Sequence, residues 1–249
     1  MRVDSIIRRV SCLAVAGAIA AGFGGAAAAE GLYAGVGGGF FVPRDSEVKG
    51  QATAAFPTPV DATSKADRGI AFSGAVGYRI ADGLRVEGEL SYRKNDFDTI
   101  TVREPGGLAV LLPANLRTNP VALAGLRRTS DLEGDLRLLT LMANFFYDID
   151  LGLDFEPYVG GGIGLSRISV KASVAGRTTA DDDDTVLAYQ FGGGLGYRVG
   201  GTDDRPVTIS LDYRYFATED PTFKGALTGT PFDAEIGGSY FGIGLRFAL

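Results

Sequence analysis

The sequence predicts an all-β protein: an eight-stranded antiparallel transmembrane β-barrel with short periplasmic turns and long extracellular loops. Two observations carry this prediction. Eight segments alternate between large apolar residues and small or polar residues with a period of two, the pattern of a strand with two different faces. The connections between these segments alternate between long and short, as expected when turns join strands at one end of a barrel and loops at the other.

The terminal strand, at 238–249, shows the pattern most clearly. Every second residue is large and apolar: Phe241, Ile243, Leu245, Phe247 and Leu249. Small or polar residues, such as Gly244 and Arg246, stand between them. The end of a soluble chain usually frays, so an apolar face at the very end favours a strand that contacts lipid.

The first 29 residues are predicted to be a cleaved signal peptide, which leaves residues 30–249 as the barrel domain. Arg2, Arg8 and Arg9 precede an uncharged stretch rich in Ala and Gly, and small residues at 27–29 form the cleavage pattern. A retained helical anchor is the alternative, because about 20 apolar residues can span a bilayer. The chain's single Cys, Cys12, lies in this segment, so no disulfide is expected in the mature protein.

Charge and composition exclude several classes of function. The formal charge is −6 for the full chain and −8 without residues 1–29, which argues against nucleic-acid binding. The chain has no His, so no mechanism that needs a His base or a His metal ligand is available. Glycine-rich runs at 160–162 and 192–194 lie inside predicted strands, where small residues fit a narrow barrel better than a nucleotide-binding loop.

The first three strands are predicted at 31–42, 69–81 and 84 to about 97. The Asp82-Gly83 pair between the second and the third is a hairpin signal. The third strand has apolar residues such as Leu84 and Leu90 on one face and charged residues such as Arg85 and Glu87 on the other. A face this charged cannot belong to a soluble hydrophobic core, so it is predicted to line a polar lumen.

The other strands are predicted at 135–149, 155 to about 170, 184–199 and 206–217. Each alternates as before, and short turns are expected at 150–154 and 200–205. Segments 43–68, 98–134, 171–183 and 218–234 are predicted to be the long loops.

Ten charged residues fall on the inward side of these strands and are predicted to form a charge network in the lumen: Arg79, Arg85, Glu87, Glu89, Arg93, Asp148, Arg198, Asp212, Arg214 and Arg246. Asp212 is expected to pair with Arg198 or Arg246, because charges in a confined interior must pair or stay hydrated. Glu87 and Glu89 share one face, which would also allow general acid–base chemistry. Salt bridges in the lumen are the preferred interpretation.

Four consecutive carboxylates, Asp181, Asp182, Asp183 and Asp184, end the third long loop. A solvated loop is the preferred interpretation of this run, and a divalent-cation site is the alternative.

Repeated units resemble the small outer-membrane β-barrel family, which includes opacity-like surface antigens and the OmpA/OmpX transmembrane domain. The units are Ser-Gly-Ala-Val-Gly-Tyr-Arg at 73–79, Gly-Leu-Gly-Tyr-Arg at 194–198 and Phe-Phe-Tyr-Asp at 145–148 followed by the glycine-rich segment 157–164. The resemblance implies Sec-type export to a Gram-negative outer membrane, with lipid and lipopolysaccharide as surroundings. Under this resemblance, Gly244, Phe247 and Leu249 correspond to the signal that the barrel-assembly machinery reads. That signal usually ends in Phe, whereas this chain has Leu249.

The expected function is a structural and surface-interaction role in the envelope, without catalysis or a cofactor, and with an unidentified extracellular ligand on the loops. The alternative is a narrow channel or conduit for small or hydrophobic solutes. Strand number separates the two, because side chains fill the interior of an eight-stranded barrel whereas open porins need about sixteen strands.

Overall fold

The computed structural model describes residues 31–50, 60–81, 83–102, 129–174, 176–202, 205–226, 229 and 231–249. This part of the chain forms thirteen strands: β1 (Leu32–Pro43), β2 (Ser46–Gly50), β3 (Val60–Ala66), β4 (Gly69–Ala81), β5 (Leu84–Val102), β6 (Thr129–Asp131), β7 (Glu133–Asp148), β8 (Phe155–Val174), β9 (Arg177–Thr202), β10 (Arg205–Thr218), β11 (Thr222–Lys224), β12 (Pro231–Ala234) and β13 (Gly237–Ala248). Within those ranges no helix is long and apolar enough to cross a membrane. The predicted signal peptide lies outside the described residues.

Eight of the strands close into an antiparallel barrel, as predicted. The ring runs β1, β4, β5, β7, β8, β9, β10 and β13, and β13 pairs again with β1. Val36 on β1 lies opposite Leu245 on β13, so strands from the two ends of the barrel domain complete the ring. Closure satisfies the backbone groups of every strand within the ring, as a lipid environment requires.

The two faces of the ring match the predicted alternation. Ile243 on the terminal strand is 57% exposed on the outer face, whereas Glu89 on the inner face is 2% exposed. Large apolar side chains form a continuous outer belt that includes Val36, Phe72, Leu90, Phe145, Ile163, Phe191, Leu211 and Ile243. The exposure of so many apolar side chains on one surface fits contact with lipid.

At one end the segments predicted as long loops contain strands, which corrects the prediction. Segment 43–68 contains β2 and β3, and segment 218–234 contains β11 and β12. Segment 98–134 contains the end of β5 and all of β6, and segment 171–183 lies in the β8–β9 hairpin. Residues 51–59, 103–128, 175, 227–228 and 230 of these segments lie outside the described residues.

These strands continue the barrel beyond the apolar belt. Strands β3, β2, β12 and β11 pair in that order next to β5, and an Ala180–Gly225 bridge joins β11 to β9. On this side of the apolar belt they take the places of β4, β1, β13 and β10, which end before it. We call this part, together with β6 and the outer portions of β5, β7, β8 and β9, the extension.

The β8–β9 part of the extension resembles a polar loop in sequence because its inward residues are small. Ala172 pairs with Ala180 and both are buried, while Lys171 and Asp181 beside them are exposed. Alanine is a weak strand former, so this alternation gives little signal. Gly176, with a φ of +71°, supplies the turn.

Candidate functional site

The inward face of β5 brings five polar side chains into the lumen. Arg85, Glu87, Glu89, Ser91 and Arg93 are all buried, none more than 8% exposed. Ionised groups lose hydration energy when they leave water, so each needs partners nearby. The lumen supplies those partners in two clusters and one separate layer.

The first cluster surrounds Arg85. Its Nε donates to Oδ1 of Asp148 at 2.8 Å, and its guanidinium also pairs with Glu87. The hydroxyl of Tyr33 donates to Oε1 of Glu87 at 2.7 Å. The Arg85 Cζ lies 4.5 Å from the centroid of the Phe146 ring, which adds a cation–π contact.

The second cluster surrounds Arg214. This side chain pairs with Glu89, and its Nη2 donates to Oδ1 of Asp212 at 2.9 Å. The Tyr158 hydroxyl donates to the same Oδ1 at 2.6 Å, and Ser210 Oγ donates to Oδ2 at 2.8 Å. The carboxylate of Asp212 is therefore held from three sides.

The remaining predicted members of the network lie near the short-turn end. Arg246 Nη1 lies 3.8 Å and Arg79 Nη2 lies 3.6 Å from Oδ2 of Asp148, and the Arg79 side chain is half exposed. Arg198 is also half exposed and pairs with Glu156. The predicted pairing of Asp212 with Arg198 or Arg246 is therefore wrong, because Asp212 pairs with Arg214 on its own strand.

Two tyrosines complete the clusters, although the prediction did not include them. Tyr33 on β1 and Glu87 on β5 both lie in register with Gly77 on β4. Tyr158 on β8 and Asp212 on β10 both lie in register with Gly194 on β9. In each case the glycine leaves room for the tyrosine ring to cross a whole strand. An inward Tyr opposite an inward Gly is the sequence signal that could have identified them.

Arg93 forms a separate layer with two aromatic rings. Its Cζ lies 4.2 Å from the centroid of the Phe216 ring and 5.6 Å from that of Phe41. Its Nη1 donates to Ser91 Oγ at 3.1 Å, and its Nε has no hydrogen-bond partner. Phe41 and Phe216 are fully buried and meet edge to face at 6.1 Å. This layer closes the lumen on the side of the extension.

Little free space remains between the charged clusters. A polar void of about 40 Å³ lies among Glu87, Glu89, Tyr158, Asp212 and Arg246. That is room for about three water molecules, since one water needs roughly 10–15 Å³ by this measure.

The extension contains a larger and mainly apolar chamber of about 160 Å³. Its lining includes Val48, Phe97, Ile100, Leu132, Leu136, Val170, Val174, Phe223, Phe232 and Ile236. Phe41 lines it as well, so the aromatic layer separates the chamber from the charged lumen.

The four consecutive aspartates lie on β9 and point alternately to its two faces, so their carboxylates do not converge on one cation. The backbone N–H of Lys224 donates to Oδ2 of Asp182 at 2.9 Å, and that of Thr222 donates to Oδ2 of Asp184 at 2.9 Å. Asp183 pairs with Arg167. Across the described residues, no three acidic, His or Cys side chains form a group that could hold a metal ion. The run attaches β11 to β9, a role that the sequence did not indicate.

The residues of the predicted assembly signal occupy the end of the terminal strand. Phe247 and Leu249 are exposed on the outer face of the barrel, and Gly244 faces the lumen beside Ser210 and Asp212.

Comparison with protein families gives one match over almost the whole chain. A family model described as "Outer membrane protein beta-barrel domain" matches residues 11–247. A search of curated proteins finds no match.

Solved structures with a similar fold include three outer-membrane proteins. They are Neisserial surface protein A (18% identity, TM-score 0.47), OprG from Pseudomonas aeruginosa (16%, 0.48) and the outer membrane protease OmpT from Escherichia coli (8%, 0.49). The alignments cover 88%, 88% and 89% of this chain and 97% of each of those chains.

Proposed function

The chain belongs to the outer membrane protein beta-barrel domain family, and from this premise we propose that it is a non-catalytic envelope protein that presents its extension to partners outside the cell. The observation that carries the proposal is the filled lumen beneath an ordered extension. Side chains occupy the path that a solute would need, while the paired strands of the extension present a surface beyond the apolar belt.

The charged lumen supports the absence of a continuous aqueous path. Four largely buried arginines, at 85, 93, 214 and 246, balance four buried carboxylates, at 87, 89, 148 and 212. Moving any of these groups aside would separate a charge from its partner in a confined space, which costs several kcal/mol per ion. The layer of Arg93, Phe41 and Phe216 adds a second barrier.

The arrangement of the lumen carboxylates also supports a non-catalytic role. Glu87 accepts from Tyr33 and pairs with Arg85, and Glu89 pairs with Arg214. Both carboxylates are therefore already occupied by side chains of the barrel itself, which leaves neither of them free to act on a substrate. The chain has no His to supply the base instead.

The residues at the edge of the apolar belt support the proposal that lipid and lipopolysaccharide surround the barrel. Tyr92 and Leu139 pair at the edge of the belt, and Lys94 and Arg137 pair two positions further toward the extension. These cations, which also pair with Asp96 and Asp135, would lie near the phosphates of a lipopolysaccharide layer. Phe247 of the terminal strand is exposed on the same outer face, which is consistent with the proposed role of the strand's end as a signal for an assembly factor.

A conduit for hydrophobic solutes is the second candidate, and the apolar chamber is the observation that favours it. The chamber nevertheless ends at the layer of Arg93, Phe41 and Phe216, and the space below that layer is charged. A hydrophobic solute would have to displace both, so we favour the closed barrel.

Conductance across planar bilayers tests the closed lumen. We expect little or no steady conductance from the wild-type protein, and an increase from the Glu87→Ala/Glu89→Ala double variant. The matched control, Glu156→Ala/Arg198→Ala, removes a half-exposed pair at the short-turn end and should remain closed. A large, stable conductance from the wild-type protein, proportional to salt, would overturn the closed lumen.

Attachment of intact cells tests the surface role. Cells that carry the wild-type protein, a variant lacking residues 173–179 of the β8–β9 hairpin, or no copy of the protein are compared on epithelial monolayers and on immobilised lipopolysaccharide. The wild-type cells should attach best to at least one of these surfaces. Equal attachment of all three strains to both surfaces would contradict the proposal.

A further inference from the structure

The apolar chamber of the extension has a size and lining that the proposed surface role does not need. Its volume of about 160 Å³ is close to the roughly 150 Å³ of an engineered apolar cavity that stays dry and binds benzene. The apolar side chains that line this space lack packing contacts on that side. A small apolar occupant would restore them.

The hydrogen bonds of the lining hydroxyls single out one residue. Ser46 Oγ donates to the carbonyl of Glu235 at 2.5 Å, and Thr179 Oγ1 donates to the carbonyl of Ala172 at 3.1 Å. Ser64 also lines the chamber, is only 6% exposed, and its Oγ has no hydrogen-bond partner. A buried hydroxyl without a partner is costly, so this position suits a ligand that supplies one.

The charged residues in the lining leave no group for a charged ligand. Arg44 Nη2 pairs with Oε2 of Glu235 at 2.8 Å, so the two charges satisfy each other. The ligand is therefore expected to be neutral.

We propose that the chamber binds one small, uncharged, largely apolar molecule of about the size of benzene, whose single polar group hydrogen-bonds to Ser64 Oγ. In the structure the Ser64 Oγ is covered by protein atoms, so it would have to turn about χ1 to meet the ligand. Simple phenols and short alcohols have this chemistry. The site lies in the extension, above the layer of Arg93, Phe41 and Phe216, so binding requires no passage through the lumen.

Binding is tested on the full barrel in lipid nanodiscs, with phenol as the polar probe and toluene as its near-isostere without a hydroxyl. Methyl NMR shifts of Leu132 and Val170 report on the chamber, and those of Leu211 report on the lipid face. The chamber methyls should shift saturably with both probes, and phenol should bind about 2- to 10-fold more tightly than toluene. Leu211 should shift without saturation as the probes enter the lipid.

Two variants and one control separate the contribution of the chamber from that of its polar group. Ala172→Leu fills the chamber and should abolish saturable shifts, whereas Ala143→Leu adds the same atoms on the lipid face and should leave binding unchanged. Ser64→Ala keeps the shape and should bind phenol no more tightly than toluene.

Absence of saturation with either probe in the wild-type protein would overturn the proposal, as expected if a lipid tail or another part of the chain occupies the chamber. An unchanged preference for phenol in Ser64→Ala would overturn the role of Ser64. Because Ser64→Ala is a mild change, this second result does not depend on the folding of the filled variant.

Discussion

The hydroxyl of Tyr158 on β8 donates to Oδ1 of Asp212 on β10 at 2.6 Å, although β9 lies between the two strands. Gly194 on β9 is in register with both residues, so the tyrosine ring crosses β9 where it has no side chain. Tyr33 reaches Glu87 across Gly77 in the same way. Lumen glycines therefore determine which residues can meet.

Replacing Gly194 by Val should separate this pair. A Cβ at Gly194 would lie 2.4 Å from the backbone carbonyl oxygen of Leu211 and 2.5 Å from the Tyr158 hydroxyl oxygen, so both the neighbouring backbone and the ring must move and Asp212 loses a donor. We expect the free energy of unfolding to fall by about 1–3 kcal/mol, measured by urea titration in lipid. Gly74→Val is the control, because a Cβ there meets nothing within 4 Å. Equal losses in the two variants would show that the Tyr158 contact is not the cause.

Arg85→Met should destabilise the barrel strongly. The substitution leaves Glu87 and Asp148 buried with fewer compensating charges, at a cost of about 3–5 kcal/mol in free energy of unfolding. Arg198→Met removes a half-exposed pair with Glu156 and should cost less than about 1 kcal/mol. Urea midpoints of the two variants check this difference, and a larger loss for Arg198→Met would reverse our assignment of the network.

Arginine on the outer face should have a depth-dependent cost. Ile243 lies near the middle of the terminal strand, and Phe247 is its second-to-last residue. Both are exposed to lipid. Ile243→Arg should lower the free energy of unfolding by about 2–4 kcal/mol, and Phe247→Arg by about 0–1 kcal/mol. The same loss at both positions in lipid would contradict the position of the apolar belt.

The carboxylates of Asp182 and Asp184 should protect the edge of β11. In Asp182→Ala/Asp184→Ala, amide hydrogen exchange at Thr222 and Lys224 should accelerate by roughly tenfold, as loss of a hydrogen bond to a charged acceptor implies. Asp181→Ala, which changes a carboxylate on the other face of β9, is the control. Slower exchange on addition of Ca²⁺ to the wild-type protein would revive the cation site.

Cleavage after Ala29 is predicted from the sequence alone. The mature protein should begin at Glu30, because small residues at 27–29 follow an uncharged stretch behind three arginines. Mass spectrometry of protein extracted from outer membranes measures the mature N-terminus. Recovery of a chain that begins at Met1 would rule out cleavage.

The sequence by itself determined the barrel and its two faces. Side chains alternate along a strand with a period of two, so apolar residues such as Ile243 and charged residues such as Glu89 were assigned to opposite faces without coordinates. The same alternation identified the eight buried or largely buried members of the charge network as inward, whereas Arg79 and Arg198 are half exposed at the short-turn end. Because the eight strands were predicted to form a closed barrel, the first and the last were expected to pair, as β1 and β13 do.

Only the tertiary structure decided which groups meet and where the barrel ends. Asp212 pairs with Arg214 and Tyr158 rather than with Arg198 or Arg246. The alternation of residues along a strand tells only which face a side chain is on, whereas strand register and side-chain length determine which side chains meet. The extension was missed because alanines such as Ala172 and Ala180 alternate with polar residues, and such segments become strands only when neighbouring strands cover their inner face. The chamber and the unpartnered hydroxyl of Ser64 exist only once β3 and its neighbours enclose that space, since a cavity is a property of packed surfaces rather than of any one segment.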